Sequence, residues 1–482
     1  MRFRRPILAC FVALLSVTGL TIGAAEAPPG NPLSQQPAAA AQLAASPTAL
    51  TPEQLVALAD EVTKEVEALR GWTFKRPIKK ELTTVAQMRE YLEKQADKSV
   101  PSGRMALAQA LLRTIGLIPP SQDLKATWMT LLESQVGGFY VPETKTMHLV
   151  ARADLPAFVQ RIMLAHELTH ALDDQYVDLE SLTKPRETAT EDTELATEAL
   201  VEGSATALMM QYAARALLSG RMDPAALQQY AREETERTKV FLAAPRYFSA
   251  MAGSYICGTQ FLARGQLMAL MLAPDDRAIG DALLAAGKEP PQSTEQILHP
   301  EKYWDPASRD APVLIDDRAA ATWLAQPGRS IIYADTVGEM LTAILTSPAN
   351  STTQLEALQS ADGWTNTAAS GWGGDRFYLM ADGATTEAAR AGLKNLRGAW
   401  VSAWDTPKDR DEFLAALANG SLAAGASAEA VGEGVAVVYF GMDEGERAKL
   451  TARLRESPLP MTKEGKAWGR EKPAYRFPAP AL

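Results

Sequence analysis

The chain has 482 residues, of which 46% are hydrophobic and 22% charged, with a formal net charge of −10. Those proportions belong to an ordinary globular protein with ample apolar material for a core, and the length suggests roughly two to four domains. The acidic balance excludes a nucleic-acid partner, because phosphate recognition draws on clustered Lys and Arg.

The N-terminus reads as an export signal over residues 1–27. A basic "MRFRRP" precedes the apolar "ILACFVALLSVTGLTIG", and the small residues of "AAEA" offer cleavage near Ala25. An uncleaved anchor is the alternative, since the apolar run approaches the length that spans a bilayer. With the signal removed, no membrane span is expected, and the product is a periplasmic or secreted bacterial protein. Cys257 is then the remaining cysteine. One thiol closes no internal disulfide, and its apolar surroundings, "GSYICGTQF", suit a buried small hydrophobe. Residues 28–50 are rich in Pro, Ala, Gln and Ser without apolar periodicity, as in a linker.

Thr51-Pro52-Glu53 carries a helix-start signal, with Thr as the cap and Pro in the first turn. That helix is expected to run to about Arg70. An extended piece around "RPIKKELTT" follows, then helices over "VAQMREYLEKQ", 103–116 and 122–135. "VGGFYVPETKTMHLV" reads as a hairpin, with strands Phe139–Val141 and Thr146–Val150 around a "PETK" turn. Long helices are expected over 155–177 and about 190–218, then over 223–243 and 247–273. From about Ala311 the short runs "VLI", "SIIYA", "RFYLMA" and "VAVVYF" read as strands separated by helices. The expected fold class is α+β: a mostly helical domain with a small sheet over 51–308, then a smaller α+β domain over 311–482.

Two of the four histidines lie in "LAHELTHALDD". Leu155, Val159 and Ile162 form a stripe at helical spacing, and His166, His170 and Asp173 continue it. Imidazoles at i and i+4 stand one above the other on a helix and converge on one metal ion. Glu167 lies to one side, where its carboxylate reaches a metal-bound water. A hydrolytic zinc needs a third protein ligand. The next helix carries "ELATEALVEGSATAL", with Glu202 on the stripe Leu195, Ala199, Glu202, Thr206, Met209. A carboxylate on an apolar stripe is costly unless paired or metal-bound, which favours Glu202. Glu198 is the alternative, although with Glu191 and Glu194 it also reads as a solvated acidic face near the helix N-terminus.

"HELTHALDD" resembles the "HELTHAVTD" of thermolysin-type enzymes, and "VEGSA" resembles the E-G-x-A of aminopeptidase-type gluzincins. The stretches "GLIPP", "QVGGFYVPETKTMHLV", "STEQILHPEKY" and "GWGGDRFYLM" are similar to a group of exported bacterial proteins described as zinc peptidases. The resemblance implies a zincin-like metallopeptidase domain. One helix would carry His166, Glu167 and His170 and a second the Glu ligand. A small sheet would bind the substrate backbone along its edge, and the 137–150 hairpin is the expected edge. A gap of 32 positions between His170 and Glu202 departs from thermolysin.

The function expected is that of an exported peptidase using one Zn2+, with His166, His170 and Glu202 as ligands, Glu167 as general base and a peptide or protein as substrate. The alternative is a non-catalytic envelope protein that keeps zinc for structure. Asp174 stands where thermolysin has the Asp of "HELTHAVTD"; it either accepts the free N–H of a ligand histidine or faces water. His299 and Tyr303, in "STEQILHPEKY", are the candidates for oxyanion stabilisation. Tyr255 is a further candidate, better explained by packing, and His148 is expected to pack across the hairpin. "GWGGDRFYLM" lacks the P-loop lysine and reads as a turn entering a strand, with Asp375 and Arg376 paired.

Overall fold

A computed structural model describes residues 50–467, apart from 100–101, 136, 151, 153–154, 185–188, 224–243, 272, 348–360, 422–424 and 465. The expected signal segment, the expected linker up to residue 49 and residues 224–243 of the helix expected at 223–243 therefore lie outside the described residues. The fold is α+β, with small sheets among many helices. No described helix is long and apolar enough to cross a membrane.

Helix α1 spans Pro52–Arg70. It starts where the sequence signals: Thr51 and Gln54 bond each other's backbone N–H in a capping box, and Gly71 closes it in the left-handed conformation. Its stripe of Leu55, Ala59, Val62, Val66 and Leu69 is buried. Strand β1 (Lys79–Thr83) is followed by helices α2 (Val85–Ser99), α3 (Ser102–Ile115) and α4 (Leu124–Gln135). The hairpin forms as expected, with β2 at Gly138–Val141 and β3 at Thr146–Val150. Strand β1 joins it parallel to β3, so the sheet order is β1-β3-β2 and β2 is an edge.

The motif helix, α5, spans Ala157–Val177, and α6 spans Glu191–Leu218 with Thr190 as its cap. Leu164, Ala165, Leu168 and Leu172 of α5 share an apolar cluster with the α1 stripe, Tyr140, Met147 and Leu149 of the sheet, and Leu208 and Tyr212 of α6. Helix α5 is thus held between α1, the sheet and α6.

The single helix expected over 247–273 is broken. Helix α7 covers Ser249–Leu262 and ends where Arg264 and Gly265 both take positive φ, with a short helix, Leu267–Met271, beyond. Two consecutive left-handed residues cannot continue a right-handed helix. Helix α7 crosses α6 at very close range: a Cβ on Gly258 would lie 1.8 Å from the Ala199 carbonyl oxygen, and one on Gly203 would lie 2.1 Å from the Gly258 carbonyl carbon. Glycine at both positions lets the backbones touch. Helices α8 (Arg277–Lys288) and α9 (Thr294–Leu298) complete this region.

The C-terminal part begins with β4 (Leu314–Ile315) and α10 (Asp317–Leu324). An antiparallel five-stranded sheet follows. Its strands are β5 (Arg329–Asp335), β6 (Trp372–Asp382), β7 (Arg397–Trp404), β8 (Ser427–Gly432) and β9 (Val435–Phe440), in the order β5-β6-β7-β9-β8. Four helices accompany it: α11 (Gly338–Thr346), α12 (Thr386–Gly392), α13 (Pro407–Ala416) and α14 (Glu444–Glu456). Strands β7 and β8 had no counterpart among the expected runs. Side chains alternate through the sheet. Phe377, Leu379, Trp400, Trp404, Val438 and Phe440 face the main core, while Tyr378, Met380, Val401, Val437 and Tyr439 meet α10 and α14 on the other side. The main apolar cluster runs from Met88 to Phe440, across the boundary expected near 308–311.

The expected Asp375–Arg376 pair does not form, because adjacent strand residues point to opposite faces. Asp375 accepts the Val337 and Gly338 N–H groups, each at 2.8 Å, and the Trp372 indole N–H at 2.7 Å. Arg376 pairs with Asp317 at 3.0 Å. Asp335 and Asp192 form a junction at the start of α6: Asp335 accepts the Glu191 N–H at 2.8 Å, and Asp192 accepts the Thr294 N–H at 3.0 Å and its hydroxyl.

Burial pushes Asp192 up to about 7 and Asp375 up to about 6. A carboxyl raised in the folded state binds more protons there than in the unfolded chain. Its contribution is complete below about pH 4 and is lost as pH climbs through the folded value. Asp192→Asn is therefore expected to gain stability over wild type at about pH 8 relative to about pH 4.5. Urea midpoints of both proteins at the two pH values check this, and an equal difference at both would refute it.

Candidate metal centre

Helix α5 turns His166 and His170 toward α6, and the Glu202 stripe of α6 faces back. His166 Nε2 lies 3.0 Å from His170 Nε2 and 3.3 Å from Glu202 Oε2, and His170 Nε2 lies 3.5 Å from the same oxygen. The ligand atoms of a tetrahedral zinc, with bonds of about 2.0–2.1 Å, stand about 3.3–3.4 Å apart. The three atoms therefore outline one face of such a tetrahedron and leave the fourth corner to another ligand. Among the described residues, this trio is one of two acidic or histidine groups close enough to hold an ion. The other, Glu295, Asp310 and Asp405, already surrounds the Lys302 ammonium. Glu198, one turn before Glu202, is only half-buried and is not part of the trio.

His166, Glu167 and His170 are fully buried and Glu202 is 3% exposed. Burial holds the His166 imidazole down at about 4, against the pull of Glu202, so it is neutral near pH 7. Burial opposes ionisation of Glu202, yet the two imidazoles outweigh it and keep its carboxyl down at about 2. Two imidazoles and one carboxylate form the donor set of a hydrolytic zinc site, and their convergence within reach of one another fits a metal ion.

Glu167 points toward strand β2. Its Oε2 accepts the Tyr140 N–H at 2.9 Å, and its Oε1 is buried with no hydrogen-bond partner among the described residues. Burial, then the Glu202 charge, pushes Glu167 well above the usual carboxylate range. The edge strand and the candidate base are thus joined by a hydrogen bond.

Asp174 takes neither of its expected roles. It is buried, and its carboxylate is filled by the Tyr140 hydroxyl at 2.7 Å, the Lys145 ammonium at 2.9 Å and the Leu179 N–H at 2.8 Å. The Nδ1 atoms of His166 and His170 have no hydrogen-bond partner among the described residues. Asp174 instead fastens strand β2 and its turn to the end of α5.

Among the described contacts, His299 and Tyr303 bond residues other than the trio. His299 Nε2 meets Glu339 at 2.9 Å, and the Tyr303 hydroxyl donates to the Glu289 carbonyl. The α9 segment preceding them is anchored by Thr294 on Asp192, ten residues and about 15 Å along α6 from Glu202. The aromatic residue at the trio is Tyr255 of α7, whose ring stacks on His166 with centroids 5.9 Å apart. Its place follows from the glycine crossing that presses α7 onto α6. Sequence periodicity marks Tyr255 as a core residue, which it also is. His148 packs as expected, stacked on Phe139, its cross-strand partner, at 4.6 Å. Sequence reading missed Tyr140, whose contribution is largely a backbone N–H, and Arg70, an unremarked last-turn cation of α1.

The family model for a Domain of unknown function (DUF8575) matches residues 329–456. That stretch coincides with the five-stranded sheet and runs to the end of α14; it does not include His166, His170 or Glu202. No curated protein and no solved structure matches the chain.

Proposed function

We propose that the chain is an exported zinc-dependent hydrolase acting on peptide bonds, with His166, His170 and Glu202 as metal ligands and Glu167 as general base. The observation that carries this reading is the triangle of 3.0, 3.3 and 3.5 Å among the three ligand atoms, with the free Glu167 oxygen beside it. The motif helix, a second helix supplying the glutamate and a sheet edge beside the base support a zincin-like arrangement. A bound zinc supplies an acidified water and polarises the scissile carbonyl.

Glu167 Oε1 accepts the proton of the attacking water and returns it to the leaving amine. The Tyr140 N–H holds the opposite oxygen, which fixes the carboxylate plane and leaves Oε1 to work. Glu202 stays ionised and His166 stays neutral near pH 7, so each presents a lone pair.

A zinc kept only for structure is the second reading, and full burial of the ligands favours it. Metal analysis of the purified chain tests the shared premise. About one zinc per chain is expected, lost in Glu202→Gln and retained in Glu198→Gln. A metal-free wild type, prepared without chelators, would remove both readings. Chelation is also expected to lower the melting temperature, because a ligand that binds only the folded state stabilises it. An unchanged melting temperature in a chain shown to lose zinc would count against tight coupling of the ion to α5 and α6.

A further inference from the structure

Helix α1 ends on Arg70, which is fully buried. Its guanidinium reaches three other helical segments at once. Nη2 lies 3.1 Å from Asp173 Oδ2 and 2.9 Å from Ser204 Oγ, and Nη1 lies 2.7 Å from Asp276 Oδ2. The Ser204 hydroxyl donates to the same Asp173 oxygen at 2.7 Å, closing a small ring between α5 and α6. Asp173 stands one turn beyond His170 on the same stripe, and Ser204 stands two residues beyond Glu202. The ring therefore ties the two metal-bearing helices together directly after their ligands.

The surroundings suit an arginine. The Trp72 ring lies 5.5 Å from the guanidinium carbon, and Gly280 leaves room where a Cβ would sit 2.7 Å from Trp72 and 3.1 Å from Arg70 Cδ. A rigid fork can bridge three partners, whereas an ammonium is a point charge on a flexible stem.

We infer that Arg70 is a positioning residue for the metal centre, setting the spacing of His170 and Glu202 through Asp173 and Ser204. The inference rests on the proposed metal site and adds that the N-terminal helix is part of that site's frame. Residues outside the ligand set that orient it typically change metal affinity by about 10–100-fold.

The test is Co2+ titration of the full chain, read as affinity and as the visible absorption that reports four-coordinate geometry. Four variants are compared with wild type: Arg70→Met, Arg70→Lys, Ser204→Ala and Arg161→Met. Arg161 also pins α5 to α1, through Glu61 at 2.7 Å and Glu65 at 2.8 Å, and to the Tyr212 hydroxyl of α6 at 3.0 Å, but on the side of His166 away from the ring. It controls for loss of a helix-to-helix tie that does not adjoin the ligands. Arg70→Met is expected to bind at least about tenfold more weakly with an altered spectrum. Arg70→Lys is expected not to restore either, Ser204→Ala to shift both in the same direction, and Arg161→Met to match wild type. If Arg70→Met does not fold, Ser204→Ala decides by the same criterion. Wild-type affinity and spectrum in the Arg70 variants and Ser204→Ala would overturn the inference, as would equal weakening by Arg161→Met. A wild-type chain that takes up no Co2+ would instead overturn the metal reading itself.

Discussion

Glu167→Gln is expected to lower kcat/KM for any cleaved peptide by about 10²–10⁴-fold, the usual contribution of a positioned general base, while zinc content stays at wild-type level. The reason is local. Glutamine keeps the length of the side chain and an oxygen to accept the Tyr140 N–H, which lies 2.9 Å from Glu167 Oε2. It loses the basic oxygen that accepts the proton. Because Glu167 is outside the trio, the metal is expected to remain. A peptide-library screen with wild type and Glu167→Gln side by side, each assayed for zinc, separates the two functional readings. Loss of cleavage with zinc retained supports the peptidase. Absence of cleavage in wild type with one zinc bound would support the structural reading. Cleavage unaffected by the substitution would show that Glu167 is not the base.

Gly258→Ala is expected to be the most disruptive single-methyl change in the described fold. The added Cβ would meet the Ala199 carbonyl oxygen at 1.8 Å, a backbone atom in the middle of α6. No rotamer relieves a clash between a Cβ and a neighbouring backbone, so one helix must move. Overpacking in a close-packed core typically costs about 1–3 kcal/mol and at times more, and both elements here are rigid helices, so the upper part of that range is expected. Displacing α6 also moves Glu202 relative to α5. Urea denaturation should show a clear loss of midpoint in Gly258→Ala, accompanied by weaker zinc binding. Gly220→Ala is a comparison, since Gly220 has open space around its Cβ position but a positive φ of 69°. Its cost should come from backbone strain and should leave metal affinity unchanged. Wild-type stability in Gly258→Ala would show that the crossing relaxes freely.

Much of the local structure was legible along the chain. Thr51-Pro52 marks the start of α1, and the strand-forming residues on either side of the "PETK" turn give the hairpin within a residue. Helical spacing placed His166, His170 and Glu202 on faces that meet, and it separated Glu202 from Glu198. These features are local because capping, turn chemistry and periodicity depend on residues within a few positions of one another. Strands β7 and β8 were not legible. "RGAWVSAW" is buried on both faces and "SAEAVG" is half-buried along its whole length, so neither shows the alternation that marks a strand with one wet face.

The sequence by itself determined the composition of the candidate centre: two imidazoles and a glutamate on one helix, and a carboxylate on the apolar stripe of another. That much follows from a helix's fixed period, which makes spacing equivalent to direction. Tertiary structure alone decided which residues surround them. Asp174 is tied to Tyr140 and Lys145 rather than to a histidine, while His299 meets Glu339 and the Tyr303 hydroxyl donates to the Glu289 carbonyl. Tyr255 reaches His166 because two glycines let α7 touch α6, and Arg70 reaches Asp173 from 103 residues away. These placements depend on how helices cross and where chains return. Such contacts are set by the summed packing of distant surfaces, and no window of neighbouring residues encodes them.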